Sequence, residues 1–208
     1  MGRILKINTD TEKEEALKAA AEILLRGGVA AIPTDTVYGF AALVHDEKAI
    51  ERLYRIKERS QNKSIAVLLG DAVQAPEVAH EFPAKARRLA EKYWPGALTL
   101  IFRKKPGIPD AVTAGGETIG IRMPDMELTR ELIRAAGKPL AAPSANTSGK
   151  RSSVSAREVL EDLDGKIDMV IDGGTCPVGV ASTVVDMTGE TPVILREGVI
   201  TAEMIAQA

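Results

Sequence analysis

The amino-acid sequence predicts an α/β domain in which a twisted, mixed β-sheet is flanked by helices on both faces. Short apolar segments alternate along the chain with longer segments whose apolar residues recur at helical spacing, which indicates strands and helices in one fold. The alternation lacks strict βαβ regularity, so a mixed sheet is expected rather than a purely parallel one. The 208 residues contain no internal repeat, low-complexity tract or linker, so residues 1–208 are predicted to form a single domain.

Helices are predicted where a capping residue precedes a periodic apolar stripe. Thr9 or Asp10 can cap the first helix, which ends at a Gly-Gly pair, as glycine commonly does at a helix C-terminus. Asp46 can cap the second helix and Ser155 a later one. Further helices are predicted over residues 83–93, over residues 126–136 and near residue 202.

Strands are predicted at the apolar segments between these helices. In segment 118–123, strand alternation places Ile119 and Ile121 on one face and Gly120 and Arg122 on the other. Glycine beside the arginine leaves a space that a ligand could fill, whereas the alternative is an ordinary ion pair of a half-exposed arginine. Segment 104–117 is rich in glycine and proline and is predicted to be a loop. The remaining strands are predicted over residues 3–7, 29–32, 65–69, 97–102, 140–142, 168–171, 182–186 and 193–195.

The composition indicates an intracellular protein without a large nucleic-acid-binding surface. The formal net charge is −2 and aromatic residues make up 3%, so neither a basic duplex-binding face nor a base-stacking platform is expected. Cys176 is the only cysteine, which excludes an intramolecular disulfide and fits a reducing compartment. The chain starts without an apolar signal segment and has no uninterrupted apolar run of about 18 residues. We therefore predict a cytoplasmic protein that makes no membrane contact.

Several familiar catalytic motifs are absent from the sequence. The nearest approach to a Walker A loop has Ser144 at its first position and Arg151 at its last, and no G-x-G-x-x-G follows a strand. His45 and His80 are the only histidines, which disfavours a zinc site and a Ser-His-Asp triad. An enzyme with this sequence is therefore expected to work by positioning and charge rather than through an activated nucleophile.

Four polar segments follow strands or helices at positions where α/β sheets tend to bind ligands. The cations Lys57, Arg59 and Lys63 lead into a buried strand, as a phosphate-binding set could, although charge runs at helix ends are usually solvated. Segment 143–150 has small hydroxyl and amide side chains that suit either a phosphate or ribose site or a flexible turn. Segment 33–39 suits either a ligand site or a turn, and segment 118–124 carries the arginine described above.

The order and identity of these motifs resemble one protein family. The chain is identified as similar to the YrdC/TsaC family of threonylcarbamoyl-adenylate synthases, in the short form that has no additional C-terminal domain. The resemblance implies a YrdC-like α/β fold with a concave ligand-binding face. It rests on Pro33-Thr-Asp-Thr-Val-Tyr-Gly39, Lys57-x-Arg59 with Lys63, Trp94-Pro-Gly-Ala-Leu-Thr99, Ile121-Arg-Met-Pro124, Ser144-x-Asn146 with Ser148-Gly149, Ser182-Thr-Val-Val-Asp186 and Leu195-Arg196.

The resemblance implies a nucleotidyltransferase that makes threonylcarbamoyl-AMP and pyrophosphate from L-threonine, bicarbonate and ATP. The product would pass to a separate transferase complex that modifies adenosine in tRNA. Mg²⁺ would be bound mainly through the triphosphate rather than by protein ligands. No covalent intermediate with the protein is implied.

The resemblance also implies roles for individual residues. Lys57 and Arg59 would be catalytic, and Leu68 and Val154 depart from residues that some members use in the two pockets. ATP would be held by Arg59, Lys63, Thr118, Ser144, Asn146 and Arg196, with Lys57 assisting. Threonine would be held by Thr36, Arg122, Ser144 and Ser182, with Arg122 pairing with its carboxylate.

Two alternatives compete with the synthase. The first is a non-catalytic protein of the same fold that binds double-stranded RNA, tRNA or the ribosome. Its contacts would come from local basic patches at Arg103, Lys104, Lys105, Lys150 and Arg151. The second is a carbamoyl-transfer module with another acceptor, of the kind found inside larger hydrogenase-maturation proteins.

Overall fold

The computed structural model describes residues 3–7 and 9–208, and its strands form one ten-stranded sheet. The strand order across the sheet is β1-β8-β2-β3-β7-β4-β6-β5-β9-β10, with parallel and antiparallel neighbours. The strands are β1 (Arg3–Lys6), β2 (Ala30–Ile32), β3 (Gly39–Leu43), β4 (Val67–Leu68), β5 (Leu98–Arg103), β6 (Thr118–Arg122), β7 (Leu140–Ala141), β8 (Met169–Asp172), β9 (Thr183–Asp186) and β10 (Val193–Arg196).

The helices begin where the sequence supplies caps. Thr9 and Glu12 form a reciprocal capping box, with nitrogen–oxygen distances of 3.1 and 3.2 Å. Asp46 accepts from the Ala49 amide at 3.0 Å, and Ser155 caps a later helix, so these predicted caps are confirmed. The helices are α1 (Asp10–Leu25), α2 (Glu47–Lys57), α3 (Ala75–Val78), α4 (Ala84–Tyr93), α5 (Asp110–Thr113), α6 (Glu127–Ala136), α7 (Ala156–Leu163) and α8 (Ala202–Ala206), with a 3₁₀ turn at Ala72–Gln74.

Two apolar clusters cover opposite faces of the sheet. Alternation along β2 sends Ala31 into one cluster and Ala30 and Ile32 into the other. Helices α1 and α6 pack on the second face, where Leu24 and Leu132 are fully buried. The first face is covered by α2, α4 and α7. The predicted mixed sheet with helices on both faces is therefore confirmed.

Half of the second face opens onto a cleft. Helix α1 contacts β1, β8, β2 and β3 and packs against α6. On the other half of this face, residues of β6, β5 and β9 line the cleft, and besides small and polar side chains they include Ile101 and Val184. In β6, Ile119 and Ile121 point into the core while Thr118, Gly120 and Arg122 line the cleft, as the sequence predicted. The pattern continues in β5, where Leu100 is in the core and its neighbours Thr99 and Ile101 line the cleft.

Three local predictions differ from the structure. Strand β3 was not predicted, although Gly39–Leu43 is a short and almost completely buried apolar run like the predicted strand β2. The predicted strand 65–69 is shorter, since only Val67–Leu68 pairs in the sheet. The loop predicted over 104–117 is wrong at Asp110–Thr113, where one helical turn forms. Within the described part of the chain, no helix is long and apolar enough to cross a membrane.

Candidate functional site

The open half of the sheet forms a cleft of about 340 Å³ with a strongly cationic and hydroxyl-rich lining. Arg59, Arg122 and Arg196 line it, and no aspartate or glutamate does so among the described residues. Guanidinium groups match carboxylates and phosphates in geometry and charge, so this lining favours an anionic ligand. The hydroxyl-bearing residues of the lining are Thr34, Thr36, Tyr38, Ser64, Thr99, Thr118, Ser144, Ser152 and Ser182.

Arg122 lines the cleft and is 6% exposed. Its Nε donates to the Gly96 carbonyl at 2.9 Å, one terminal nitrogen donates to Thr36 Oγ1 at 2.7 Å, and the other pairs with Asp35. Burial lowers the pKa of Arg122, and the Asp35 carboxylate opposes that shift. A guanidinium carries five N–H donors, so two remain available for a ligand beyond these three contacts with described residues. Arg122 therefore forms an ion pair with Asp35 and also lines the ligand cleft, so both interpretations of this arginine apply.

Segment 33–39 is a buried turn that supports this arginine. Thr34 Oγ1 donates to the Val37 carbonyl at 2.6 Å and accepts from the Thr36 and Val37 amides at 3.1 and 3.2 Å. The Asp35 and Thr36 carbonyls accept from the amides of Val178 and Gly179. These bonds fix the Thr36 hydroxyl at the wall of the cleft.

Arg59 enters the cleft from the end of α2. The preceding residue, Glu58, has φ 52°, a left-handed conformation that turns the chain out of the helix. The Arg59 guanidinium donates to the Lys63 carbonyl at 3.1 Å and to the Ser64 carbonyl at 2.9 Å. Partial burial lowers the pKa of Arg59, while Tyr54 opposes the shift. Lys63 itself is exposed and does not line the cleft.

Arg196 and Ser182 line the cleft next to each other. Strand β10 has a register shift between Ile194 and Arg196. The guanidinium of Arg196 then donates to the Ser182 carbonyl at 3.1 and 2.9 Å. The Ser182 hydroxyl lies 2.7 Å from Thr99 Oγ1.

Lys57 does not line the cleft, and its ammonium group is bound inside the protein. The residue is 3% exposed. Its Nζ donates to the Ser144 carbonyl at 2.6 Å, to Ser144 Oγ at 3.1 Å, to the Asn146 carbonyl at 2.8 Å and to Asn146 Oδ1 at 3.2 Å. It also lies 5.6 Å from the centre of the Phe40 ring. The sequence left open whether these cations are solvated at the helix end. Lys63 is solvated in this way, whereas Lys57 is buried and hydrogen-bonded inside the protein.

The loop that Lys57 holds is 143–150, which brings Ser144 to the cleft. Asn146 Nδ2 donates to the Thr147 and Lys150 carbonyls, both at 2.9 Å, so its side chain is used within the loop. Asp162 accepts from the Thr147 amide at 2.5 Å and pairs with Lys150. Segment 143–150 is consequently a braced loop rather than a loose polar turn.

Seven of the predicted site residues meet in the cleft and three do not. Lys57, Lys63 and Asn146 lie outside its lining, as does Val154, whereas Leu68 lines it. The residues that meet are Thr36, Arg59, Thr118, Arg122, Ser144, Ser182 and Arg196.

Thr99 and Tyr38 are among the lining residues that the sequence did not assign to the site. Thr99 faces the cleft because it alternates with Leu98 and Leu100, a pattern that the predicted strand already contained. Tyr38 donates its hydroxyl to the Gly174 carbonyl at 2.8 Å, and burial raises its pKa. Its partner is 136 residues away along the chain, so no local signal could have found this contact.

Comparison with known proteins places this fold and cleft in a family. The family model Sua5/YciO/YrdC, described as "Telomere recombination", matches residues 22–198. The threonylcarbamoyl-AMP synthase of Bacillus subtilis is 45% identical over 187 residues, which cover 89% of this chain and 54% of that protein. The corresponding Pyrococcus abyssi synthase is covered over 57% of its length, so the chain spans about half the length of these curated relatives.

Solved structures support the same assignment. Pyrococcus abyssi Sua5 complexed with L-threonine matches with a TM-score of 0.94 at 38% identity, covering 100% of this chain and 60% of that one. E. coli YciO matches with a TM-score of 0.86 at 28% identity, covering 96% of this chain and 97% of that one. The predicted YrdC-like fold is thereby confirmed, and the chain belongs to the Sua5/YciO/YrdC family.

Proposed function

We propose that the chain is an L-threonylcarbamoyladenylate synthase, which makes threonylcarbamoyl-AMP and pyrophosphate from L-threonine, bicarbonate and ATP. The observation that carries the proposal is the cleft itself, in which three arginines and many hydroxyls surround a space lined by no carboxylate of the described residues. Such a lining suits a triphosphate and a carboxylate together. Relatives that carry this activity in their names, and the Sua5 structure with L-threonine, support the choice of substrates.

The predicted site residues that line the cleft divide into a threonine set and an ATP set, which share Ser144. Thr36, Arg122, Ser144 and Ser182 would hold threonine, with the remaining N–H groups of Arg122 on its carboxylate. Arg59, Thr118, Ser144 and Arg196 would hold ATP. The predicted contacts of Lys57, Lys63 and Asn146 with ATP stay predictions, since none of these three residues lines the cleft.

The proposed chemistry requires positioning and charge. The threonine amine and bicarbonate condense to a carbamate with loss of one water molecule. A carbamate oxygen then attacks the α-phosphorus of ATP, the bond from that phosphorus to the bridging oxygen of the β-phosphate breaks, and pyrophosphate leaves. Both reactants are anions, so Arg59 and Arg196 would screen their repulsion and hold them in line. No side-chain nucleophile is needed.

The cleft does not fit a divalent cation held by the protein. Its lining offers hydroxyls and guanidiniums, and no cluster of three potential metal ligands occurs within the described ranges. Hard cations such as Mg²⁺ prefer carboxylate, carbonyl and phosphate oxygens. We therefore treat Mg²⁺ as part of a Mg–ATP substrate.

The non-catalytic RNA-binding alternative is less well supported. Of the five basic residues proposed for RNA contact, Lys104 pairs with Asp110 and Lys150 pairs with Asp162. Lys105 donates to the Pro76 carbonyl at 2.8 Å. Two of these cations therefore already have a carboxylate partner that an RNA phosphate would have to displace. Arg103 and Arg151 are exposed and are the residues at which tRNA contact could be tested.

The proposal extends to the domain organisation, the location and the partner of the protein. The described residues form one domain, which the ten-stranded sheet running from β1 to β10 supports. The protein acts in the cytoplasm, and it hands its product to a tRNA threonylcarbamoyl-transferase complex.

The proposed activity is tested by measuring pyrophosphate release from Mg–ATP with and without threonine and bicarbonate. We expect release only when both are present, with threonylcarbamoyl-AMP detected by mass spectrometry. Release that is independent of threonine would contradict the proposal, as would tight duplex RNA binding without any release.

Replacing Arg59 with alanine is expected to raise the KM for ATP by roughly tenfold or more, because one charge-assisted contact to the phosphates is lost. Arg157→Ala is the matched control, since the Arg157 side chain is 88% exposed and lies outside the cleft. Equal KM values for ATP in the two variants would show that Arg59 does not contact the nucleotide.

Replacing Gly120 with alanine is expected to weaken substrate binding with little loss of stability. A Cβ at Gly120 would lie 3.2 Å from Thr99 Cγ2 and 3.8 Å from Ile101 Cγ1, so the protein tolerates it with a small shift. The same methyl group would project into the cleft between Thr118 and Arg122. Calorimetric titration with threonine and ATP measures the effect, and unchanged affinities for both would show that the ligands do not pass close to β6.

A further inference from the structure

The hydroxyl groups of Thr99 and Ser182 form a buried polar contact in the cleft. The proposed function gives a role to Ser182 but none to Thr99. Thr99 is 4% exposed and Ser182 is 5% exposed, and their oxygens are 2.7 Å apart. Thr99 Oγ1 has no other hydrogen-bond partner among the described residues. Either hydroxyl can be the donor in this contact, and the choice decides which of the two protons remains for a ligand.

The hydrogen-bond inventory of Ser182 limits what this pair can do. A serine hydroxyl has one proton and two lone pairs. Arg196 donates towards Ser182 Oγ at 3.4 Å and so approaches one lone pair. If Thr99 donates into the other lone pair, the Ser182 proton is left to point into the cleft. If Ser182 instead donates to Thr99, its proton is used inside the protein.

The charge of the cleft decides between these two arrangements. Arg59, Arg122 and Arg196 favour an anionic ligand, whose oxygens accept hydrogen bonds and cannot donate them. An anionic oxygen that accepts its hydrogen bond from the Ser182 hydroxyl therefore requires the arrangement in which Thr99 is the donor to Ser182. The β-branched side chain of Thr99 is restricted in rotation, and its Cγ2 lies against Gly120, which helps to keep its hydroxyl on Ser182.

We propose that Thr99 is a positioning residue for threonine recognition, which donates its hydroxyl proton to Ser182 and so commits the Ser182 proton to the threonine carboxylate. This inference rests on the proposed function, because it takes threonine as the ligand beside Ser182. Arg196 is held mainly by the Ser182 carbonyl and not by the Ser182 hydroxyl. The position of Arg196, and with it the binding of ATP, is therefore expected not to depend on Thr99.

The first measurement is the affinity for threonine of variants that keep the shape of the site. Thr99→Val retains the branched shape but loses the donor, and we expect threonine to bind about five- to tenfold more weakly while ATP affinity is unchanged. Thr99→Ser restores the hydroxyl and is expected to restore most of the affinity. Thr113→Val is the control, since Thr113 is also 4% exposed but lies outside the cleft lining.

A double-mutant cycle separates positioning from a structural effect. If Thr99 acts through Ser182, then Thr99→Val has no further effect on threonine affinity in a Ser182→Ala background. Additive losses would overturn the inference, as would threonine binding to Thr99→Val that equals the wild type. Failure of the wild-type protein to bind threonine would overturn the proposed function and this inference with it, whereas normal wild-type binding confines any failure to Thr99.

Discussion

Replacing Lys57 with methionine is expected to lower turnover by about 100-fold or more while the sheet and its helices remain folded. Methionine keeps the length of the buried stem but removes the ammonium group that binds four oxygen atoms of Ser144 and Asn146. Loop 143–150 then loses these side-chain contacts with α2, although the Ser148 amide still donates to the Lys57 carbonyl at 2.7 Å, and Ser144 is expected to shift from its position in the cleft. A misplacement of about 1 Å in a reacting group can cost about 100-fold in rate.

The pH dependence of Lys57 makes the prediction more specific. Burial lowers its pKa from 10.5 to about 8, Arg59 contributes in the same direction and Asp162 opposes it. An ammonium group has three N–H donors and a neutral amine has two. Turnover is therefore expected to fall as the pH rises through about 8.

Stability should respond to pH in the opposite direction at this residue. Between about 8 and 10.5, the unfolded chain keeps the Lys57 proton while the folded chain has lost it. Because the unfolded state then binds more protons, the contribution of this group to the free energy of unfolding rises with pH. If deprotonation of Lys57 lowers the activity above pH 8, that decrease therefore does not result from unfolding caused by the same deprotonation.

Turnover from pH 6.5 to 9.5 and unfolding in urea are the two measurements. Lys48→Met is the matched control, because Lys48 is exposed on the same helix. Lys57→Met should retain a cooperative urea transition and lose activity at every pH. Wild-type turnover in Lys57→Met would contradict the anchoring role of Lys57. If the residual turnover of Lys57→Met decreased above pH 8 in the same way as that of the wild type, the decrease would arise from another titrating group.

Sequence reasoning predicted the elements well because the helix caps and strand alternation are local signals. Thr9, Asp46 and Ser155 each precede the helix that they were predicted to cap. Burial on both faces removes this alternation, so a buried apolar run has to be identified from its length and its flanking residues alone. On that basis β2 was predicted as segment 29–32, whereas β3, which is almost equally buried, was missed.

The site was predicted less completely, because residue type alone does not show which way a side chain points. Arg59 and Lys57 are two residues apart at the end of α2, and both carry a positive charge. The left-handed turn at Glu58 sends Arg59 to the cleft, while Lys57 remains on the helix and reaches loop 143–150. That loop is about 90 residues away along the chain, so only the folded structure separates the two roles.

Removal of the Arg122 side chain is expected to have a large effect on stability as well as on binding. Arg122 and Asp35 are each about 7% exposed in their side chains, and Arg122 is the cation paired with Asp35. Arg122→Met leaves the Asp35 carboxylate buried with the Asp125 amide, at 3.1 Å, as its remaining partner. Breaking a buried ion pair from one side costs about 3–5 kcal/mol, which is a large part of the stability of an ordinary domain.

The second partner of the pair provides the decisive comparison. In Arg122→Met with Asp35→Asn the buried charge is gone, so urea unfolding should recover more than half of the lost free energy. Threonine binding should remain lost in both variants, because the guanidinium is absent from the cleft in each. Arg157→Met, at an exposed pair, should change the free energy of unfolding by less than about 1 kcal/mol. If Asp35→Asn restored threonine binding along with stability, Arg122 would be a structural residue only, and the carboxylate of the substrate would need another partner in the cleft.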